Sequence, residues 1–463
     1  MKVTVMRQAI AACWLFVTAS AISLDITSKL SVCAAAKLVQ VGIWNYYEGT
    51  TYGGTVGMFV PPYYWWNAGQ AFGGLLDYYA FCDPTNDTLK NLIYEGMYHQ
   101  AGSNFDFIPA NQTMVEGNDD QGVWGLTIMQ AVERNFTDPP QHSWLSMAQA
   151  IYNTMNSRWD DKTCGGGLRW QMFTWNAGYD YKNTIANGCL FQMAARLARF
   201  VGNDSNGTVT NYTDTVEKVW DWMIDVGFMT LEDDGTELQL YDGAKINPTN
   251  QSCDYVTHLK WSYNFGVFIT GAAYMYNFTE DAKWKTRIDE LWTASKYFFP
   301  NKIMTETTCA TNNKCNNDQR TFRCLFARSL SLVSVLVPEM RSEFDPYMQT
   351  SASAAAQSCS GGTDGITCGF NWAFTGWDGQ YGLGEQMSAL ETIQYLIYPD
   401  FSAPYTSTNG GSSQSVPDAG LNIGTNQLNT NLLDIRGKDR AGAGVLTAIV
   451  LALILGCSVW MIF

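Results

Sequence analysis

The sequence predicts an all-α domain in which six helical hairpins close into a toroid. Three observations predict it: about twelve windows of helical periodicity, short connections that mostly alternate with long ones as hairpins require, and a polar-aromatic cluster at the start of alternate helices. The window at 26–47 reads as an amphipathic surface helix. The second, 62–81, opens on Tyr63-Tyr-Trp-Trp-Asn67 and stops at Asp83-Pro84, ahead of a surface helix at 84–101. The fourth, 119–136, opens on Asn118-Asp-Asp-Gln121, places Val123, Trp124, Leu126, Met129 and Val132 at apolar positions, and ends before Asp138-Pro-Pro140. After a fifth at 142–158, the sixth, 181–201, opens on Tyr179-Asp-Tyr-Lys-Asn183. A surface helix at 209–228 precedes the eighth, 258–277, which carries Trp261-Ser-Tyr-Asn264. The ninth, 280–298, is amphipathic from Asp281 to Tyr297. Windows at 317–337 and 341–357 follow, and the twelfth, 384–398, comes after Trp377-Asp-Gly-Gln-Tyr381. With the alternate, cluster-bearing helices inside, their N-termini meet at one mouth and the clusters converge on one cleft.

The ends lie outside this domain. Lys2 and Arg7, the apolar run Ile10 to Ala19 and the small residues Ala21-Ile-Ser23 form a secretory signal peptide over 1–23. Val445 to Phe463 is apolar and uncharged, and long enough to cross a bilayer, but no basic residues follow it. Small residues and the polar Arg436-Gly-Lys-Asp-Arg440 precede it. Together they read as a glycosylphosphatidylinositol (GPI) attachment signal over 437–463, with the attachment residue between Gly424 and Gly437. No linker interrupts 24–400, which reads as one large domain, and the Ser/Thr/Asn/Gly-rich 401–436 reads as a stalk.

Composition fits export. Sequons begin at Asn86, Asn111, Asn135, Asn203, Asn206, Asn211, Asn250 and Asn277. Cys13 and Cys457 leave with the processed ends, and the ten that remain are expected in disulfides, with Cys359 and Cys368 placed to close a Gly-rich loop. Three histidines and no C-x-x-C pair argue against structural zinc, and no cofactor is implied. A net charge of -15 excludes nucleic acid and anionic lipid surfaces as electrostatic partners. Aromatics make up 14% of the chain, and most serve the core; those paired with amides at helix starts suit sugar rings, which present apolar faces and hydroxyl edges.

Asp119 and Asp120 stand at the start of helix four. Acidic residues there serve as caps in many proteins. The same place also allows chemistry, because the first residue of a helix is not yet helical and both carboxyls can enter one cleft. Retaining glycosidases need two carboxyls about 5–5.5 Å apart. Two carboxylates this close also repel, so one of them keeps its proton.

The stretch Glu116-Gly-Asn-Asp-Asp-Gln-Gly-Val-Trp124 resembles the signature of glycoside hydrolase family 76. Further matching motifs are Gly166-Gly-Leu-Arg-Trp170, Lys182-Asn-Thr-Ile-Ala-Asn-Gly188, Tyr263-Asn-Phe-Gly266 and Phe322-Arg-Cys-Leu-Phe-Ala-Arg328, spread over most of 24–400. The resemblance implies an (α/α)6 barrel and endo-acting cleavage of α-1,6-mannan, with Asp119 as nucleophile and Asp120 as acid/base. It also places Trp65, Trp66, Asn67, Trp170, Lys182, Asn183, Asn187, Tyr263 and Asn264 near the cleft. Lys182 suits a structural ion pair equally well, and Asn187 an internal hydrogen bond. Gly122-Val123 departs from many bacterial members, which carry bulkier or acidic residues there. With the signal peptide and anchor, the chain is similar to the fungal cell-wall members of the family. This implies the GPI-core glycan or α-1,6-mannan as donor, a β-glucan acceptor, and a location at the outer face of the plasma membrane or in the wall. A non-catalytic wall mannoprotein or glycan-binding module is the rival reading.

Overall fold

A computed structural model describes residues 21–112, 115–202, 208–231, 237–312, 314–421 and 437–462. Residues 1–20 of the expected signal segment and residues 424–436 of the expected attachment region lie outside the described residues. Twelve long helices stand in the expected windows: α1 (Lys29–Trp44), α2 (Trp65–Cys82), α3 (Asp87–Tyr98), α4 (Asn118–Glu133), α5 (Trp144–Ser157), α6 (Thr184–Val201), α7 (Thr208–Asp225), α8 (Ser262–Thr279), α9 (Ala282–Ser295), α10 (Asn317–Leu336), α11 (Arg341–Ser358) and α12 (Leu383–Gln394). Ser28, Asn86, Ser143, Asn183, Asp281 and Asn316 each accept a first-turn backbone N–H, which explains why α1, α3, α5, α6, α9 and α10 start where they do.

The even-numbered helices pack side by side in chain order, and α12 returns to α2, so they form an inner ring with the odd-numbered helices outside. This is the (α/α)6 barrel. An inner helix touches neighbours on every side, and from Thr184 to Phe200 every residue of α6 is buried. Small residues set the spacing. A Cβ on Gly122 would lie 2.5 Å from the Cβ of Cys189, and one on Gly271 would lie 2.3 Å from the Phe191 ring.

The C-terminal halves of the inner helices close the base with paired charges. Arg196 on α6 grips Glu133 on α4 at 3.1 and 2.7 Å, and Tyr274 on α8 donates to the same carboxylate at 2.7 Å. Arg134 donates to Asp77 at 3.0 Å, and Arg328 to Glu391 at 2.9 Å.

The structure departs from the expected outline in four places. Two small antiparallel sheets lie between α5 and α8: β1 (Tyr181–Asn183), β4 (Gly243–Lys245) and β5 (Val256–Thr257) form one, and β2 (Met229–Leu231) and β3 (Leu238–Leu240) the other. Tyr181–Asn183 is therefore strand, paired with Gly243–Lys245, rather than the first turn of α6. Second, disulfides join Cys33–Cys82, Cys164–Cys253, Cys309–Cys315 and Cys359–Cys368, whereas Cys189 and Cys324 remain buried thiols on inner helices. Third, Ile22 is buried and its N–H donates to Cys359 O at 3.2 Å, so the packed domain includes a residue from the expected signal segment. Fourth, the first part of the expected stalk lies on the barrel. Tyr405 N–H donates to Glu133 O and Ser407 N–H to Phe200 O, at the base. Val416 N–H then donates to Gln149 on α5, and Asn153 of α5 donates to the carbonyls of Pro417 and Ala419. Residues 404–421 thus form a strap. Beyond them, the segment Gly437–Ile462 is helical.

Candidate active site

The starts of α2, α4, α6, α8 and α10 line a cleft of about 550 Å³ at the barrel mouth. The entry to α4 is pinned from outside: Asn118 N–H donates to Trp170 O at 2.8 Å, and Gly117 bridges to Gln171. Asp120 Oδ2 accepts the Gly117 N–H at 2.6 Å, and Asp119 Oδ1 accepts the Asp120 N–H at 3.0 Å. Both carboxyls therefore cap the helix and also line the cleft. Asp119 Oδ2 accepts in addition from Asn183 Nδ2 at 3.3 Å. A Cβ added to Gly117 would lie 2.3 Å from Asp119 Oδ1 and 3.0 Å from Asp120 Oδ2, so those two oxygens are at most about 5.3 Å apart.

Burial pushes both carboxyls up from the ordinary range. At Asp119 the neighbouring Asp120 charge adds to the rise, against the Asp120 N–H and Asn183, which favour the ionised form. Asp120 is pushed up to about 7 by burial, opposed by the Gly117 N–H and reinforced by Asp318. Like charges this close in a dry site do not ionise together, so near neutrality the pair holds one proton and one charge.

The other expected residues divide in two. Trp65, Trp66, Trp170, Asn183 and Tyr263 line the cleft with the aspartates. Trp66 Nε1 donates to Asp318 at 3.1 Å, and Tyr263 stacks on Phe322 with ring centroids 3.8 Å apart. Trp65 is mostly committed to packing, against Trp124 and through Nε1 to Gln100. Lys182, Asn67, Asn187 and Asn264 do not line the cleft. The Lys182 ammonium is turned into the loop beneath, donating to the carbonyls of Asp160, Thr163 and Gly166 at 2.9, 2.7 and 2.5 Å. Asn67 accepts from Tyr64 N–H and donates to Thr321. Asn187 holds Leu168 by both its N–H and its carbonyl. Asn264 is buried, with no hydrogen-bond partner for its amide among the described residues.

Three carboxyls of the cleft escape sequence reasoning. Glu116 lies just before the pair. Asp242 accepts from Tyr181 Oη at 2.7 Å, and Asp318 opens α10. Burial pushes all three up. Asp318 had a legible signal: Asn316-Asn-Asp-Gln319 repeats the pattern Asn118-Asp-Asp-Gln121 at another inner-helix start. The cleft lining includes no lysine, arginine or histidine among the described residues, and the described residues contain no group of three or more His, Cys, Asp or Glu side chains that could hold a metal ion.

The sequence profile of one family, glycosyl hydrolase family 76, matches residues 31–408. The chain belongs to glycosyl hydrolase family 76. Its relatives in that family match nearly end to end. It is 61% identical to the mannan endo-1,6-alpha-mannosidase DFG5 of Candida albicans over 97% of both chains, and 52% identical to DFG5 of Saccharomyces cerevisiae, covering 97% of this chain and 96% of that one. A crystal structure of Dfg5 from Chaetomium thermophilum in complex with glucosamine superposes with a TM-score of 0.78 at 36% identity, covering 86% of this chain and 97% of that one. The family 76 α-1,6-mannanase of Salegentibacter sp. HEL1_6 shares the fold, with a TM-score of 0.59 at 18% identity, covering 79% of this chain and 98% of that one. As a family 76 member, the chain is a glycoside hydrolase.

Proposed function

We propose that the chain is an endo-acting α-1,6-mannosidase that works with retention of configuration, and that it transfers the cleaved glycan as well as hydrolysing it. The observation that carries this reading is the pair of buried carboxyl oxygens at most about 5.3 Å apart on the first turn of α4. That bound lies below the roughly 6.5–9.5 Å at which inverting enzymes admit a water, and leaves the pair within reach of the ~5–5.5 Å of retaining enzymes. In the cycle, Asp120 gives its proton to the glycosidic oxygen as the Asp119 carboxylate attacks the anomeric carbon. The carbon–oxygen bond to the leaving sugar breaks as the bond to Asp119 forms. Asp120, now ionised, takes a proton from water or from an acceptor hydroxyl, whose oxygen displaces Asp119. Asn183 holds the nucleophile, and the Trp66, Trp170 and Tyr263 rings supply the apolar surfaces on which sugar faces rest.

The names of the DFG5 relatives support α-1,6-mannan as substrate. The glucosamine in the Chaetomium structure supports the core glycan of a GPI anchor as donor, because that glycan contains an amino sugar and a cleft lined by carboxyls, with no cation among its described residues, suits an ammonium group. The signal peptide and attachment signal expected from the sequence support a site of action at the outer membrane face or in the wall, with β-glucan as acceptor.

The test is incubation of the soluble domain with an α-1,6-mannooligosaccharide, with and without a glucan acceptor, followed by mass spectrometry. Cleavage and transfer products that vanish in Asp119→Asn are expected. An Asp119→Asn protein as active as the wild type sinks the reading.

A further inference from the structure

Beside the dyad, and outside the cleft lining, Arg158 at the end of α5 reaches into the first turn of α4. Its Nε donates to Asn118 Oδ1 at 2.6 Å, and its Nη2 donates to Gln121 Oε1. Asn118 and Gln121 are the residues on either side of Asp119-Asp120. Each is tied down by its other end: Asn118 Nδ2 to Arg169 O at 2.8 Å, Gln121 Nε2 to Asp106 O at 2.7 Å and Thr154 Oγ1 at 3.0 Å. Two buried carboxyls, Asp106 and Glu116, face the guanidinium electrostatically. Arg158 Nη1, Asp106 Oδ1 and both Glu116 oxygens have no hydrogen-bond partner among the described residues. The backbone on both sides of Asp106 is strained, with Phe105 and Phe107 each at φ 57. Bulky residues rarely occupy that region unless the surroundings over-determine it, and Phe107 is buried against Trp124. The fold therefore holds Asp106 in place near the guanidinium.

We propose that Arg158 is a positioning residue for the reaction: from α5 it clamps Asn118 and Gln121, fixes the first turn of α4, and so sets how Asp119 and Asp120 enter the cleft, while Asp106 and Glu116 face its guanidinium. The inference rests on the proposed roles of the two aspartates. The first turn of a helix lacks intrahelical partners for its N–H groups and frays unless it is held. A displacement of roughly 1 Å at reacting groups costs on the order of 100-fold in rate. Lysine does not replace this residue, because one ammonium cannot reproduce the planar fork that meets two acceptors.

The groups facing the dyad are Glu116 before α4, Asn183 and Cys189 from α6, Tyr263 from α8 and Asp318 from α10, whereas Arg158 meets Glu116 and Asp106 behind them. Arg158 therefore acts on the dyad through its fork, which gives the test two arms. Arg158→Lys keeps the charge and loses the fork. It is expected to lower kcat about 10- to 100-fold with KM unchanged and the alkaline limb of the pH profile in place. Arg158→Met loses both, and is expected to lower kcat at least as far, again with KM unchanged. A lower melting temperature, with kcat per folded molecule unchanged in both variants, overturns the proposal. Should either variant fail to fold, Asn118→Ala and Gln121→Ala cut the clamp from the other side. Each is expected to lower kcat, the two together by no more than the larger single loss, whereas fully additive losses overturn the proposal. Asp119→Asn in parallel separates the two readings: activity retained there defeats the dyad, while activity lost there and kept in Arg158→Lys defeats the clamp alone.

Discussion

The two ends of the barrel hold their charges in opposite ways. At the base, Glu133, Asp77 and Glu391 each meet an arginine from a neighbouring inner helix. At the mouth, Glu116, Asp119, Asp120, Asp242 and Asp318 share a cleft without a cation in its described lining, and the donors that reach them are neutral: a backbone N–H, an amide, an indole and a phenol. Paired charge at the base holds helices in register, even where burial pushes Glu391 up to about 7 against the pull of Arg328. Unpaired, buried carboxyls at the mouth keep protons at a pH where carboxyls are normally ionised, which acid catalysis requires.

Four substitutions break or sharpen this contrast. The largest effect is expected at Asp119→Asn, with kcat down on the order of 10⁴-fold or more and the melting temperature not lowered; a progress curve and a thermal scan on one preparation check both. Glu133→Ala is its mirror image. It strands the buried Arg196 guanidinium and costs about 3–5 kcal/mol in urea unfolding, with kcat per folded molecule unaffected. Asp120→Asn lowers activity roughly 10²- to 10⁴-fold and makes the protein more stable. The sign follows from the raised affinity: folded Asp120 titrates near 7 and unfolded Asp near 4, so between those pH values the folded state binds more protons and loses stability as pH rises. The variant lacks that loss, and the wild-type deficit should grow from pH 4 to pH 7, reaching on the order of 4 kcal/mol. A stability difference that is flat with pH would refute the buried-acid description. Smallest is Gly117→Ala. Its φ of -97 suits alanine, but the new methyl would collide with Asp119 Oδ1, so kcat is expected to fall about tenfold with stability changed by less than about 1 kcal/mol.

The ring and its mouth were legible because the same cluster recurs at alternate helix starts, and only one end of a toroid can collect them. Which residue of a cluster faces the cleft was not legible. Tyr181, Lys182 and Asn183 are adjacent, but they form a strand. Successive side chains alternate, so Tyr181 and Asn183 line the cleft and Lys182 is sent to the opposite side. Tyr263 and Asn264 are consecutive on a helix, about 100° apart around its axis, and only the first lines the cleft. Asp242 had no local signal, because it reaches the site from beside β4, whose pairing with β1 brings together stretches about 60 residues apart. Arg158 gave none either, since a lone arginine after a surface helix is ordinary until the neighbouring helix start is in place.

The strap has a consequence for how the domain is carried. Tyr405 and Ser407 cover carbonyls at the ends of α4 and α6, and the strap then climbs α5 from Ser143 to Asn153, about two-thirds of the way along. A domain trimmed at residue 400 therefore loses the cover on its base. Asn153 holds Pro417 and Ala419, so the last side-chain contacts of the strap lie on the half of α5 nearer the opening.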